Sequence, residues 1–233
     1  MSGKPASPAS SDADPPSSGL WICVAVREEA AFLNRRAVPV LVTGMGIDNA
    51  RRHLATRLRR ERPEVLMTCG FAGALDPSLR VGTVVFDADD AFPWRAELLR
   101  AGARQARFLA SERVVITAAE KQRLHAETGA EVVEMESSVL RQLCRAHGIP
   151  SATMRVVSDA AQEDLPVDFN RLMTSRMTLS FPRLALALLA RPSRIGGLLA
   201  LQRHTRLAAR RLAEVLQPLV DQAAGEASQD EPG

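Results

Sequence analysis

Carboxylates stand at two places within residues 131–159 where an apolar run ends. Glu134 and Glu136 follow the first run, and Asp159 closes the second. A carboxylic acid can give a proton to a leaving group, and a carboxylate can accept a proton from water or stabilise a developing cation. The residue types therefore indicate acid–base chemistry. The alternative is that these side chains cap helices, because acidic groups are favoured at a helix N-terminus.

Arg155 lies inside the second apolar run. An unpaired charge in a buried strand is costly, so we expect its guanidinium to meet a carboxylate. Glu134 and Glu136 alternate around Met135, which puts both on one face if the strand continues that far. We expect the chemistry where this arginine and the carboxylates meet.

The pattern of residues 131–159 predicts a strand, a helix and a second strand. The helix opens at Ser137 or Ser138, ends at residues 148–150, and is followed by a β-branched run at residues 152–157. Strands joined by a helix are expected to lie parallel, with their ends at one edge of the sheet. Ligands of open α/β sheets bind at that edge, so the carboxylates are expected to converge on one crevice.

The remaining chain supplies the other elements of an α/β fold. Glu29 follows the first strand, and Gly46 ends a Gly44-Met45-Gly46 turn. A loop of small residues suited to a substrate wall is expected at residues 69–77, and an irregular stretch with a short helix at residues 87–111. Strands are expected at residues 21–26, 38–43, 64–68, 83–86 and 114–117, and helices at residues 49–60 and 118–128.

Composition limits the class of protein. With 233 residues and 46% hydrophobic content, one large core and a single domain at residues 20–224 are expected. Cys23, Cys69 and Cys144 lie far apart, which argues against a disulfide framework or a zinc site and fits the cytoplasm. We expect no metal, because the four histidines stand alone on helix-like segments. We expect no cofactor, since the turn at residues 44–46 lacks the third glycine of a dinucleotide fingerprint.

The two ends differ from the middle. Residues 1–19 are rich in Ser and Pro and predict a disordered leader, and residues 225–233 predict a loose acidic tail. Basic amphipathic helices are expected at about residues 176–223, because residues 176–217 carry eight arginines against one glutamate. They could rest peripherally on an anionic membrane. The alternative is a packed helix pair whose arginines are solvated or bind a neighbouring subunit. No nucleic-acid partner is expected, since the chain has no tyrosine to interleave with the arginines.

Several of these pieces, taken in order, resemble the nucleoside phosphorylase and nucleosidase superfamily, in particular its methylthioadenosine/S-adenosylhomocysteine nucleosidase branch. The resemblance covers residues 22–168. It implies a three-layer α/β/α sandwich with a mixed, partly closed sheet, assembled as a homodimer or larger. The motifs that carry it are Glu29, Gly44-Met45-Gly46, Gly70-Phe71-Ala72-Gly73-Ala74-Leu75 with Leu79-Arg80-Val81-Gly82, Val133-Glu134-Met135-Glu136, and Arg155 with Val157-Ser158-Asp159.

The resemblance also implies a role for each matching residue. Asp159, assisted by Ser158, would protonate N7 of a leaving purine in a water-poor pocket where other carboxylates keep it protonated. Glu29, Arg155 and Glu136 would position the attacking water near C1′. Glu136 and Met135 would hold the ribose. The remaining substrate-binding residues are Glu134, Gly46, Phe71, Ala72, Gly73 and Ile116.

Within the superfamily, residues 118–130 and the Arg- and Leu-rich C-terminal segment resemble hopanoid-associated phosphorylase-like proteins, which are implicated in removing adenine from adenosylhopane. This implies a hydrolytic nucleosidase acting on an adenosyl lipid, with methylthioadenosine-type nucleosides as the alternative. A phosphorylase is the near rival, although Val26-Arg27-Glu28-Glu29 lacks the glycine of a phosphate-binding loop. A non-catalytic nucleoside-binding protein is the other alternative, favoured by Phe71 in place of serine and by the absence of a stacking aromatic after residues 116–117.

Overall fold

A computed structural model of the chain describes residues 19–229. In this part of the chain no helix combines the length and the apolar character that crossing a membrane requires. The strands are β1 (Leu20–Val24), β2 (Val40–Val42), β3 (Val65–Ala74), β4 (Val84–Ala88), β5 (Arg104–Gln105), β6 (Phe108–Ala110), β7 (Val132–Glu134) and β8 (Ser151–Asp159). The helices are a 3-10 helix (Arg27–Ala30), α1 (Ile47–Leu58), α2 (Arg95–Arg100), α3 (Ala118–Thr128), α4 (Ser137–Ala146), α5 (Phe169–Leu172), α6 (Phe181–Ala190) and α7 (Arg194–Gln229).

The strands form one mixed sheet whose main path runs β2-β1-β3-β8-β4-β5. β2, β1, β3 and β8 are parallel, and β4 runs antiparallel to β8. β7 pairs with the carboxyl end of β3, and β6 pairs with β7, so these two strands branch from the path. The sheet is not closed, in contrast to the expected partial closure, because no pairing within residues 19–229 joins its ends β2 and β5.

Helices cover both faces of the sheet, because successive side chains of its strands point to opposite sides. Met67 and Met154 share one core with the buried side of α7, which extends from Ala208 to Ala223. Trp21 and Leu66 share the other core with α1 and α4. The expected three-layer α/β/α architecture with a mixed sheet is confirmed.

The three cysteines are buried in these two cores. Cys69 lies in the core against α7, and Cys23 and Cys144 lie in the core against α1 and α4. All three are free thiols.

The strands on either side of α4 are not the parallel pair that the sequence pattern predicts. β7 is antiparallel to β3 whereas β8 is parallel to it, so β7 and β8 run in opposite directions. Val133 and Asp159 are both register partners of Gly73, one on each side of β3. The carboxylates therefore converge because both strands use β3 as a partner, and not because of a parallel crossover.

The small residues at 69–74 belong to β3 and not to the loop expected there. Their size is explained by what approaches them. A Cβ on Gly70 would lie 2.3 Å from Oε1 of Glu29, and one on Gly73 would lie 3.0 Å from Oδ2 of Asp159. These glycines let two carboxylates sit directly against the strand.

Residues 114–117 are not the strand that their apolar character predicts. The side chain of Asn170 takes the place of a strand partner there. Val114 N donates to Asn170 Oδ1 and Asn170 Nδ2 donates to Val114 O, each over 2.9 Å. The strands of this region are β5 and β6, which lie in the stretch expected to be irregular, together with the expected short helix, α2.

The two C-terminal helices, α6 and α7, differ from the expected pair in extent and in burial. α7 continues to Gln229, so residues 225–229 are helical, whereas the sequence predicts a loose tail there. Its second half is built into the core, whereas α6 has no buried residue. The rest of the expected tail, residues 230–233, and residues 1–18 of the expected leader lie outside the described residues.

Candidate active site

A cavity of about 240 Å³ lies at the carboxyl ends of β3 and β8. Most of the residues predicted from the sequence line it: Glu29, Phe71, Ala72, Gly73, Glu134, Met135, Glu136, Ser158 and Asp159. Its wall is completed by residues that were not predicted as site residues: Ala25, Val26, Met45, Arg113, Val114, Val115, Val133 and Leu165.

Glu29 is buried in the wall by the 3-10 helix that follows β1. Its Oε2 accepts from the backbone N–H groups of Ala25 (2.7 Å) and Val26 (3.1 Å), and its Oε1 accepts from that of Phe71 (3.0 Å). Burial raises the pKa of Glu29, and Arg155 and these N–H groups oppose the rise. The side chain is fixed in position while Oε1 keeps a free lone pair for a ligand.

Arg155 pairs with Glu134 behind the cavity wall, as the buried charge in its strand predicts. Arg155 Nη2 donates to Glu134 Oε2 over 3.0 Å. The same oxygen accepts from the N–H groups of Glu136 and Ser137, and Oε1 accepts from Ser137 Oγ, so Glu134 also caps the start of α4. β7 ends at Glu134, so the strand does not continue to Glu136.

Glu136 has far fewer partners than Glu134. Its Oε1 accepts from Gly46 N over 2.7 Å. Burial raises its pKa to about 7; the N–H of Gly46 and the charge of Arg155 oppose the rise, and Glu134 and Glu29 add to it. A carboxyl group that titrates near neutrality can exchange protons at physiological pH.

Asp159 has a cation beside it, whereas the sequence analysis expects other carboxylates. Asp159 Oδ1 accepts from Ser158 Oγ (2.8 Å), and Oδ2 accepts from Lys121 Nζ (2.7 Å). Ser158 Oγ is also within 3.3 Å of Ala72 O. Both oxygens of Asp159 are thus held at the end of β8.

Three of the predicted residues do not line the cavity. Arg155 lies behind Glu134, and Gly46 contributes its N–H to Glu136. Ile116 lies after the segment that lines the wall, and its carbonyl accepts from Leu165 N over 2.8 Å. Among the described residues no cluster of three or more His, Cys, Asp or Glu side chains could hold a metal ion.

Comparisons with known proteins find relatives of this chain. The family model described as Phosphorylase superfamily matches residues 103–190, which include α3, α4 and Asp159. The 5'-methylthioadenosine/S-adenosylhomocysteine nucleosidase of Glaesserella parasuis is 25% identical over 174 residues, which cover 60% of this chain and 76% of the relative. The enzyme of that name from Mycobacterium bovis is 41% identical over 69 residues, covering 30% of this chain and 27% of the relative. The chain is therefore similar to the phosphorylase superfamily and to its nucleosidases.

Solved structures share the fold of this chain. The futalosine hydrolase of Helicobacter pylori aligns with a TM-score of 0.64 at 14% identity and covers 87% of this chain and 97% of its own. The nucleosidase of Colwellia psychrerythraea, solved in complex with adenine, aligns with a TM-score of 0.61 at 15% identity, covering 88% and 95%.

The site also contains a residue that the sequence patterns missed, Lys121. Lys121 lies in the polar helix α3, where a lysine ordinarily faces solvent, so its position alone gave no signal. A compositional signal was present. Lys4 and Lys121 are the only lysines among the 30 basic residues of the chain, all others being arginine.

Proposed function

We propose that the chain is a purine nucleosidase that hydrolyses the N-glycosidic bond of an adenosyl compound and releases adenine. The observation that carries the proposal is that a candidate proton donor and candidate water-activating carboxylates line one cavity. Asp159 against Gly73 and Glu29 against Gly70 both open onto it, together with Glu136. A proton donor and a group that activates water are the two functions that glycosidic hydrolysis needs.

In the proposed reaction the C1′–N9 electron pair moves to the base while Asp159 transfers a proton to N7. The sugar develops oxocarbenium-like positive charge, which the carboxylates of Glu29 and Glu136 stabilise. Water then bonds to C1′ through its oxygen and gives a proton to Glu29. Arg155 does not touch the substrate; it offsets the negative charge of Glu134 and its neighbours. Glu136 and Met135 hold the ribose.

Hydrolysis is favoured over phosphorolysis by the backbone after β1. A phosphorylase of this superfamily would bind phosphate on a loop at that place. Here the N–H groups of Ala25 and Val26 are both occupied by Glu29 Oε2, so they are not available to an anion. A second carboxylate-bearing residue, Glu28, further disfavours phosphate at this position.

The test is adenine release from a panel of 5′-substituted adenosines, each measured with and without phosphate. Hydrolysis predicts equal rates in both conditions and free ribosyl product. Rates that require phosphate, with a sugar 1-phosphate as product, would contradict hydrolysis. Absence of release from every member of the panel would contradict the nucleosidase proposal itself.

Within this activity we propose an adenosyl lipid, such as adenosylhopane, as the preferred substrate, with methylthioadenosine-type nucleosides as the alternative. The supporting observation is the outer surface of α6, where Phe181 is 74% exposed, Leu186 69% and Leu189 79%. Large exposed apolar groups are unusual on a protein surface unless something covers them. Residues 169–213 contain no acidic residue, so this surface suits an anionic bilayer.

The lipid proposal is tested by comparing adenine release from an adenosyl lipid in anionic vesicles and from soluble methylthioadenosine. Replacing Leu186 and Leu189 by Ser should lower the rate on the vesicle substrate about tenfold or more and leave the soluble substrate unaffected. The matched control is Leu99→Ser, a 52% exposed leucine on α2. Equal loss on both substrates would indicate a structural role for α6 instead.

A further inference from the structure

Lys121 is fully buried, with 0% of its surface exposed. Its ammonium group has three acceptors: Asp159 Oδ2 at 2.7 Å, Ala160 O at 2.8 Å and Glu163 O at 2.9 Å. An ammonium group carries three N–H donors, so all of them are used. A buried charge is costly unless it is paired and hydrogen-bonded in this way.

The residue type is informative because the chain otherwise uses arginine. Lys121 is the only lysine among the described residues. The ammonium group is a compact charge with three tetrahedral donors, whereas guanidinium is planar and larger. The compact group serves one carboxylate oxygen and two backbone carbonyls, those of Ala160 and Glu163, in the loop after β8.

α3 is fastened to the loop after β8 at further points. Ala118 N donates to Asp164 Oδ1 over 2.7 Å, and Leu165 N donates to Ile116 O over 2.8 Å. The loop that carries the carbonyl acceptors of Lys121 is therefore held in place by the start of the helix. Lys121 is presented to Asp159 from a rigid frame.

We propose that Lys121 is a positioning residue for the acid Asp159: it holds the carboxyl group and stabilises the carboxylate that forms when the proton leaves. This inference rests on the proposed nucleosidase function. As Asp159 gives its proton to N7 of the leaving base, negative charge appears on a group whose Oδ2 is 2.7 Å from an ammonium. Lys121 keeps its own three protons throughout, so no further acid is consumed. The attraction is stronger after transfer than before it, which is the condition for lowering a barrier.

The charged groups around Asp159 come from several elements. Lys121 belongs to α3. A second cavity, which Asp159 also borders, is lined by Glu163 and Asp164 from the loop after β8 and by His204 from α7. Arg113 and the cavity carboxylates face it from the other side. Only Lys121 pairs directly with its carboxylate within the described part of the chain.

The test compares Lys121→Met with wild type over a range of pH. Losing the ammonium removes the positive charge that stabilises the carboxylate formed on proton transfer. We expect kcat to fall about 100-fold, with nucleoside affinity changed less than about tenfold. The alkaline limb of the pH–rate profile should move to higher pH. Arg123→Met, on the exposed side of α3, is the matched control. His204→Gln checks that the position of the alkaline limb is not determined by His204.

A double variant separates positioning from mere support of the fold. In an Asp159→Asn background Lys121→Met should lower the residual rate by less than about threefold, because the group on which it acts is gone. Multiplying losses, or an unmoved alkaline limb, would overturn the proposal. Should Lys121→Met fail to fold, Lys121→Gln keeps a donor without the charge, and the same two outcomes are read from it.

Failure of the proposed function is recognised separately. If the wild-type protein releases no adenine from any nucleoside, the nucleosidase proposal fails, and the pairing is tested by adenine binding at pH 5 to 9. Asp159→Asn should then remove one part of the pH dependence of the dissociation constant for adenine, and Lys121→Met should change the same part, whereas the part due to Glu136 stays. Identical profiles for wild type and variants would overturn the role of Lys121.

Discussion

Glu136 and Asp159 line the same cavity but have different electrostatic surroundings. Glu136 is buried near other carboxylates, which raises its pKa to about 7. Asp159 is bonded to the ammonium of Lys121 and the hydroxyl of Ser158. Two carboxyl groups whose environments differ in this way are suited to different roles in one reaction. The sequence predicts both residues as catalytic. The source of the difference, Lys121, belongs to no motif, because its place beside Asp159 is set by the packing of α3.

Replacing Asp159 by Asn should abolish turnover while binding is largely kept. The lost proton transfer acts in the transition state, so kcat should fall by about 100-fold or more and the nucleoside dissociation constant should change less than about tenfold. Steady-state rates and equilibrium binding measure the two effects. Glu163→Gln is the matched control, since only the backbone of Glu163 takes part in the contacts. A kcat near that of wild type would remove Asp159 from its role.

Replacing Glu136 by Gln should lower activity and yet stabilise the protein at alkaline pH. The pKa of Glu136 in the folded protein, about 7, lies above its ordinary value of 4.5, a free-energy difference on the order of 3 kcal/mol. Between these values the unfolded chain releases the proton first, so wild-type stability falls as pH rises. Gln does not titrate and can still accept from Gly46 N.

Thermal unfolding at several pH values measures this effect. The Tm of Glu136→Gln minus that of wild type should be small near pH 4.5 and should grow until about pH 7, where the wild-type loss is complete. Glu61→Gln on the surface is a control that should show no such trend. A difference that is constant with pH would show that burial does not penalise the charged form of Glu136.

At the scale of elements, the sequence predicts the helices and strands that are determined by residues close together in the chain. α3 begins and ends at the predicted residues, Ala118 and Thr128, because Thr117 caps its start and Gly129 takes a left-handed conformation at its end. The predicted length of β3 is too short because glycine and alanine disfavour strands in isolation. Their place in β3 is decided by neighbours from distant parts of the chain, which no local pattern contains.

Gly70→Ala tests the close approach of the 3-10 helix to β3. Because the new Cβ would lie 2.3 Å from Glu29 Oε1, the carboxylate must move. We expect a stability loss of about 1 to 3 kcal/mol and a fall in kcat of about 100-fold from misplacement of Glu29. Gly196→Ala in α7 is the matched control, since nothing lies within 4 Å of its added Cβ. Unchanged kinetics in Gly70→Ala would mean that the position of Glu29 is not critical.

At the scale of the whole molecule, the sequence poses a choice between a packed helix pair and a membrane-facing segment. The structure divides the segment: residues 208–223 of α7 are packed in the core, and α6 with the first part of α7 is largely exposed. Exposure and arginine spacing do not identify a partner, so the homodimer, the membrane contact and the cytoplasmic location stay predictions.

Neutralising arginines in the exposed part tests the contact with anionic lipid. Arg210 and Arg211 are excluded because they contact Phe32 and Glu214. The variant carries Gln at Arg191, Arg194, Arg203 and Arg206. Each arginine near an anionic surface contributes about 1 kcal/mol, so co-sedimentation with anionic vesicles at low salt should fall severely. Turnover of a soluble nucleoside should not change.

High salt should weaken wild-type binding to vesicles in the same way, because salt screens exposed charges. A lowered Tm or a shifted oligomer mass in the variant would instead indicate that the arginines bind a neighbouring subunit. Wild-type protein that does not sediment with vesicles at low salt would remove the membrane contact.

The placement of the three thiols lets the two cores be followed separately by chemical labelling. Burial raises the pKa of Cys69 and that of Cys144 to about 12 and the pKa of Cys23 well above its usual range. Alkylating reagents attack the thiolate, so the folded chain should react only when a core opens. The rate at which Cys69 is modified would report exposure of the sheet face beneath α7. The rates for Cys23 and Cys144 would report exposure of the sheet face beneath α1 and α4. Mass spectrometry after brief alkylation would show which helical layer separates first.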